Sequence, residues 1–569
     1  MATSGNRWQS RTSRRKSGSL LTGNEVSVIV IGVYIKIRIY FHPAAKEVQC
    51  ITVVDGANTR DWYLCFNNTA FRSTELDMNE PPALLIGGSN SGPCFLDARM
   101  ANRHGLVAGA TGTGKTVTLQ NLAEGFSRLG VPVFLTDVKG DLSGLAAAGQ
   151  SHPKIDARVK LLALSDFRFR AVPTVFWDLF GVKGHNIRTT VSDMGPLLFT
   201  SMLGLNDTQS GILYACFRIA DDNGLLLLDF KDLRAMLTWM AANARELKAK
   251  YGNISSSSIG AIQRKLLILE EQGAEQFFNE PAVVLDDLMK TDFSGQGVVN
   301  VFDASTIIHQ SPRLYACFLL WLLSELFENL PEVGDADRPE LVLFFDEAHL
   351  LFDDAPDALL DKVEQVARLI RSKGVGVYFI SQSPTDIPEE ILGQLGMKIQ
   401  HALRAFTPGD KKTVKAAAAS FRQNPDIDTE QLITELGVGE ALVSVLDADG
   451  RPTPVEHVFI KPPESRIGPL SEEERSEYLS RSPYKGRYDA VIDRESAYEM
   501  LKQKAEQQAQ ADAAVAEEKV SNTGTRRSTR QTPIEAMVTS TARSIGSQIG
   551  RQIVRGIMGS LFGSTKKRR

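Results

Sequence analysis

The sequence predicts an α/β fold: a mainly parallel sheet flanked by helices, with an all-α insertion and a basic, helical or disordered C-terminal tail. Three observations carry that expectation. A glycine-rich run lies between an apolar tetrapeptide and a helix-patterned segment at 105–129, and a second apolar run, 341–345, ends in two adjacent acids. Between them, residues 178–290 show mostly helical periodicity. Short apolar runs without alternation are strands covered on both faces, and such strands belong to parallel sheets whose crossovers are helices.

Composition bounds the possibilities. The 569 residues are 23% charged and 43% hydrophobic, ordinary for a globular chain, which excludes disorder throughout. Sixty-four Lys and Arg against 68 Asp and Glu give a net charge of −4, which excludes a uniformly basic nucleic-acid coat but permits local basic tracts. Cys50, Cys65, Cys94, Cys216 and Cys317 are scattered without a CxxC pair. Neither a zinc ribbon nor a disulfide framework is indicated, and a reducing, cytoplasmic setting is expected.

Near the N-terminus, Val26 to Phe41 is apolar but carries Lys36 and Arg38, so it is too short and too charged for a spanning helix of about 20 residues. The alternation Ile35-Lys36-Ile37-Arg38-Ile39 reads as a strand. Arg7, Arg11, Arg14, Arg15 and Lys16 precede it as in a signal peptide, but the charged interruptions and the lack of a small-residue cleavage site argue against export. Met78-Asn79-Glu80-Pro81 has the look of a natural protein start, so residues 1–77 are expected to be a non-native or loosely ordered extension.

The glycine-rich run is Gly109-Ala110-Thr111-Gly112-Thr113-Gly114-Lys115-Thr116, which fits GxxxxGK[ST]. Gly105-Leu106-Val107-Ala108 before it suits a buried strand. Leu119, Leu122, Phe126 and Leu129 after it fall at helical spacing. Glycines admit positive φ and let the backbone approach phosphate oxygens. Converging N–H groups at a helix N-terminus, with its dipole, then hold the anion. Lys115 is expected to reach the β- and γ-phosphates of ATP, and the Thr116 hydroxyl to join a Mg2+ shell.

Binding alone does not hydrolyse. Leu341-Val342-Leu343-Phe344-Phe345 ends in Asp346-Glu347, at the strand end where open α/β sheets bind ligands. Asp346 is expected to hold Mg2+ through water and Glu347 to act as general base on the attacking water. Val375 to Ser381 is a further strand, and Gln382 at its tip is suited to sensing the γ-phosphate. The helical segment before it, 363–371, carries Arg368 and Arg371; an arginine at a subunit edge can act on a neighbour's phosphate, and a solvated helix face is the alternative. Val133 to Asp137 is another acid-ended strand, followed by Val138-Lys139-Gly140-Asp141, and Asp137 is expected to face the same crevice, positioning water or metal.

These motifs together resemble those of HerA-like ATPases in the HerA–FtsK superfamily. The resemblance rests on 109–116, Asp137 to Asp141, Asp346-Glu347-Ala348-His349 and Ser381-Gln382. Ala101-Asn102-Arg103-His104-Gly105 and Arg188-Thr189-Thr190-Val191-Ser192-Asp193-Met194-Gly195-Pro196 support it, and it spans about residues 80 to 510. It implies a RecA-like P-loop core, a hexameric ring that moves double-stranded DNA, Glu347 as the base, and an arginine finger from the adjoining subunit at Arg371. HerA carries an N-terminal β-barrel ahead of its phosphate loop, and this chain departs from that pattern.

The expected organisation follows. The core runs over 78–177 and resumes at 291–465. The insertion occupies 178–290, with helices at 192–203, 213–220, 231–250 and 258–272. Later strands are expected at 297–303, 398–404 and 441–446, and a long apolar helix at 314–330. A helical extension, 466–520, follows, then a basic linker and tail, 521–569. That tail holds ten Lys and Arg against Glu535 alone, and Ile545, Ile549, Ile553, Ile557 and Leu561 repeat every four residues. A basic amphipathic helix packs on its own protein, lies on a membrane surface, binds polyanions or docks on a partner. Lys411 and Lys412, after Pro408-Gly409, are read as exposed loop or pore lining. Three functions compete: a Mg-ATP-driven DNA motor, an ATP-driven protein remodeller or membrane-associated switch, and a nucleotide-binding regulator with little turnover, against which Glu347 argues.

Overall fold

The computed structural model describes residues 82–334, 336–352 and 357–521, together with the backbone of three strands nearer the N-terminus. Those strands, β1 (Thr22–Val30), β2 (Val33–Phe41) and β3 (Val48–Asp55), form an antiparallel sheet in chain order within a unit of their own, residues 1–80. The apolar run at 26–41 is therefore two paired strands, with the alternating Ile35–Ile39 segment in β2. The rest of the 1–77 extension and the basic tail after residue 521 lie outside the described residues.

The second unit begins at Pro81 and is organised around a twelve-stranded sheet. Its strands are β4 (Ala83–Ser89), β5 (Gly92–Asp97), β6 (Gly105–Ala108), β7 (Val133–Asp137), β8 (Thr174–Asp178), β9 (His185–Asn186), β10 (Val299–Asp303), β11 (Leu341–Phe345), β12 (Val375–Ser381), β13 (Met397–Gln400), β14 (Glu440–Ser444) and β15 (Glu456–Ile460). The spatial order is β5-β4-β15-β14-β13-β6-β12-β11-β7-β10-β8-β9. From β13 to β9 every pairing is parallel, while β14, β15, β4 and β5 extend the other side antiparallel.

Every residue of β6, β7, β10, β11 and β12 is buried. Side chains alternate across a strand, so one apolar run feeds two cores. Leu341, Leu343 and Phe345 join the core under the long helix Pro312–Asn329 and the insertion. Val342 and Phe344 join the core under the helix Lys115–Arg128, where Phe126, Phe344 and Tyr378 cluster.

The insertion contains helices Val191–Leu203, Asp207–Asp222, Phe230–Ala242, Ala244–Tyr251 and Ser256–Glu271. Capping boxes at Thr190/Asp193, Asn206/Gln209 and Asp229/Asp232 start three of them, satisfying first-turn N–H groups. Two expectations need correction. The segment is not all helix, because His185–Asn186 adds β9 beside β8. The expected 231–250 helix is two helices, broken where the Asn243 amide turns back to donate to Trp239 O at 2.8 Å.

The helices Glu472–Arg481 and Ala497–Ser521 belong to the same unit as the sheet. Between them, Tyr484 and Tyr488 pack on Trp177 of β8 at centroid distances of 5.4 and 5.3 Å. Trp177 Nε1 donates to Asn300 Oδ1 on β10, so no indole donor is stranded in this contact. Among the described residues no helix is long and apolar enough to cross a membrane.

Candidate functional site

The loop 109–116 joins β6 to the helix Lys115–Arg128 and demands glycine. Gly109, Gly112 and Gly114 have φ of 153°, 79° and 118°, values that side-chain-bearing residues rarely adopt. A Cβ on Gly109 would also sit 2.5 Å from His401 Cβ. The Ala110 N–H donates to Ala402 O at 2.9 Å, and the Thr113 hydroxyl donates to Ala110 O at 2.7 Å. Thr111 and Gly112 are exposed, whereas Thr113 and Lys115 are buried. No side chain caps the helix that starts at Lys115, so its first N–H groups remain for an anion. Lys115 Nζ donates to Gly109 O and to Ala110 O. Burial lowers its pKa, opposed first by the Glu347 charge.

His401 supports this loop from beneath. Its Nδ1 lies 2.8 Å from Glu440 O and its Nε2 2.9 Å from the Thr118 hydroxyl. The carbonyl requires a donor, which assigns the proton to Nδ1. Burial pushes the imidazole down to about 4, aided by the Lys115 charge, so it stays neutral. The sequence reading missed His401 because nothing local links it to a loop nearly three hundred residues away.

The acids sit two strands over. β12 separates β6 from β11, and Asp346, Glu347 and Gln382 follow the C-terminal tips of β11 and β12. Glu347 has φ 47°, a left-handed conformation of the kind that persists where surroundings over-determine it. Its Oε1 is 2.6 Å from Lys139 Nζ, its Oε2 accepts from Gln382 Nε2 at 3.3 Å, and His349 Nδ1 is 3.4 Å from Oε2. Burial works to raise its pKa, but Lys139, then Gln382 and Lys115, outweigh it and the net shift is downward. Glu347 is thus held as the carboxylate. Asp346 is buried, and burial pushes its carboxyl up to about 6 against the opposing charge of Lys139. Its backbone N–H donates to the Thr136 hydroxyl at 3.1 Å.

Asp137 does different work from that expected. Its two carboxylate oxygens accept the backbone N–H groups of Gly140, Asp141 and Leu142 at 2.7, 3.2 and 3.0 Å. Burial pushes it up to about 7, with Asp141 adding to the shift. It anchors the turn that presents Lys139 and Asp141, and Gly140 supplies that turn's positive φ of 78°. Asp141 is the acid that meets the loop: burial raises its pKa, opposed by Lys139 and by the nearby Thr116 hydroxyl, while its Oδ1 is buried with no hydrogen-bond partner among the described residues. An orphaned carboxylate oxygen beside Thr116 and near the buried Asp346 is the hard-oxygen environment that Mg2+ takes. Among the described residues no group of three His, Cys, Asp or Glu side chains forms a metal cage by itself, and Mg2+ is ordinarily shared between one or two carboxylates and phosphate. The sequence signal for Asp141 was a second acid four positions beyond the strand-end acid.

Arg371 lies elsewhere. It precedes β12 in a short turn, Ile370–Lys373, at the end of that strand opposite Gln382. Asn102 Nδ2 donates to its carbonyl at 3.5 Å. Within its own chain it is remote from the loop. Arg368 is exposed and pairs with Glu364.

A glycine loop after a central parallel strand, with paired acids two strands away and a polar amide on the strand between them, defines a RecA-like P-loop ATPase. Residues 83–568 match the family of helicase HerA-like C-terminal domains, and the chain belongs to that family. It is 28% identical over 149 residues to the DNA double-strand break repair helicase HerA of Sulfolobus acidocaldarius, covering 26% of this chain and 29% of that protein. Against the HerA of Saccharolobus solfataricus it is 22% identical over 365 residues, 60% of this chain and 61% of the relative. The chain thus spans less than two thirds of these curated relatives. Among solved structures, plasmid coupling protein TrwB in complex with ADP and Mg2+ is 15% identical with TM-score 0.43, covering 66% of this chain and 88% of that one. VirB4 of Thermoanaerobacter pseudethanolicus is 16% identical with TM-score 0.43, covering 70% and 99%.

Proposed function

We propose that this protein hydrolyses ATP with Mg2+ in a homo-hexameric ring and uses the energy to move along double-stranded DNA in the cytoplasm. The observation that carries the reading is the convergence of the Lys115 ammonium, the Glu347 carboxylate and the Gln382 amide in one crevice. The backbone of 109–114 and the first turn of the following helix bind the phosphates, and Lys115 exchanges its loop carbonyls for phosphate oxygens. Thr116, Asp346 and Asp141 would hold Mg2+, which when bound neutralises charge on the phosphates. Glu347, kept ionised, takes a proton from water, and Gln382 orients the carboxylate. Arg371, remote from its own loop, is the residue offered to a neighbouring subunit.

The names of the archaeal relatives support duplex DNA as the polymer. The net charge of −4 favours a second reading, an ATP-driven remodeller acting on protein or at a membrane surface through the tail, because DNA affinity needs Lys and Arg against phosphate. ATPase rate measured with and without double-stranded DNA over a range of salt separates them. Stimulation that fades with salt supports the motor; a DNA-insensitive rate supports the remodeller. Glu347→Gln is expected to bind ATP and stall, and wild-type turnover in that variant would refute the assignment of the base.

A further inference from the structure

A short ion pair in the crevice joins two groups that the hydrolytic reaction needs apart. Lys139 Nζ is 2.6 Å from Glu347 Oε1, on the carboxylate that must receive a proton from water. The lysine stem is not loosely placed: the turn that carries it is fixed by three backbone N–H groups bound to Asp137. Yet its side chain is 41% exposed, toward the open crevice, while Glu347 is 6% exposed. The ammonium also lies within electrostatic reach of Lys115, Asp346 and Asp141. It is therefore a second, partly exposed cation beside the phosphate loop, and a dianionic terminal phosphoryl group competes with one carboxylate for it.

Resting on the ATPase reading above, we propose that Lys139 is a latch exchanged by the γ-phosphate: it neutralises Glu347 in the empty or ADP-bound site and transfers to the terminal phosphate when ATP binds, releasing the carboxylate to the water. The consequence is a base that is withheld until a triphosphate is in place. Lys139 acts through Glu347 and through phosphate position, and it is a positioning residue. The Gln382 amide, bonded to the other Glu347 oxygen, retains the carboxylate when the lysine leaves.

The test is a double-mutant cycle read by equilibrium binding of ATPγS and, separately, of ADP, using the full chain with Lys139→Met, Glu347→Gln and the double variant. Removing Glu347 charge frees the lysine for phosphate, so the cycle should show coupling of about fivefold for ATPγS, the size of a partly exposed ion pair. For ADP the coupling should be absent. Lys139→Arg, which keeps the cation, should restore the preference for ATPγS over ADP. Equal coupling for both nucleotides, or none for ATPγS, overturns the latch while leaving the ATPase reading intact. Failure of the wild-type protein to bind either nucleotide overturns the ATPase reading itself.

Discussion

Two buried imidazoles make stability depend on pH in a way the structure quantifies. His104 Nδ1 accepts the Val377 N–H at 3.0 Å, and its Nε2 donates to Ala367 O at 2.6 Å. A proton added at Nδ1 would leave the Val377 donor facing another donor. His401 is placed similarly between Glu440 O and Thr118. Burial pushes both from 6.5 down to about 4. The folded state thus binds these protons more weakly than the unfolded chain, so the contribution is fully present above pH 6.5 and lost as pH falls toward 4. At pH 5.0 the linkage relation gives about 2 kcal/mol of lost stability for each histidine and about 4 for the pair, a large part of a typical domain stability of ~5–15 kcal/mol. Urea unfolding followed by tryptophan fluorescence at pH 7.5 and 5.0 measures it. The double variant His104→Gln, His401→Gln should start less stable at pH 7.5 and show a pH-dependent loss smaller by about that amount. Identical losses in wild type and variant would refute the claim that these rings are held neutral.

Two further outcomes are expected. Gly109→Ala forces a Cβ 2.5 Å from His401 Cβ at a φ of 153°; thermal denaturation should show a loss of about 1–3 kcal/mol, the cost of overpacking, together with lost nucleotide binding. Asp141→Asn removes charge from the orphaned oxygen beside Thr116. It should raise the Mg2+ concentration needed for half-maximal ATPγS binding by about tenfold, as for a lost metal-site partner, and an unchanged Mg2+ requirement would exclude Asp141 from the ion's shell.

The parallel centre of the fold was legible because its strands are buried throughout and mostly apolar, and its loop is locally encoded. β6, β11 and β12 are short uninterrupted runs bounded by glycine or acid. The antiparallel strands β4, β5 and β15 were not anticipated, because Ala83–Ser89 ends in paired glycines and Glu456–Ile460 is only half apolar; their strand state depends on partners far along the chain. β8 escaped for the same reason, its Trp177 being explained by Tyr484 and Tyr488. In the site, the sequence singled out Asp137 for the crevice and assigned Asp141 no role. Which carboxylate turns inward to cap backbone N–H groups and which meets Thr116 is decided by the positive φ at Gly140, a property of the turn rather than of residue type.

The place of β15 in the sheet has a consequence for synthesis. The β4–β5 hairpin emerges from the ribosome early and settles against the helix 115–128, where Asn121 Nδ2 reaches the carbonyls of Leu85 and Ile86. Its in-sheet neighbour arrives only with Val458, Phe459 and Ile460. Until then the inner edge of the hairpin is an unsatisfied template, open to a strand from another nascent chain, and closure across so long a loop is slow. A nascent polypeptide stopped before residue 456 would expose that edge permanently and invite aggregation.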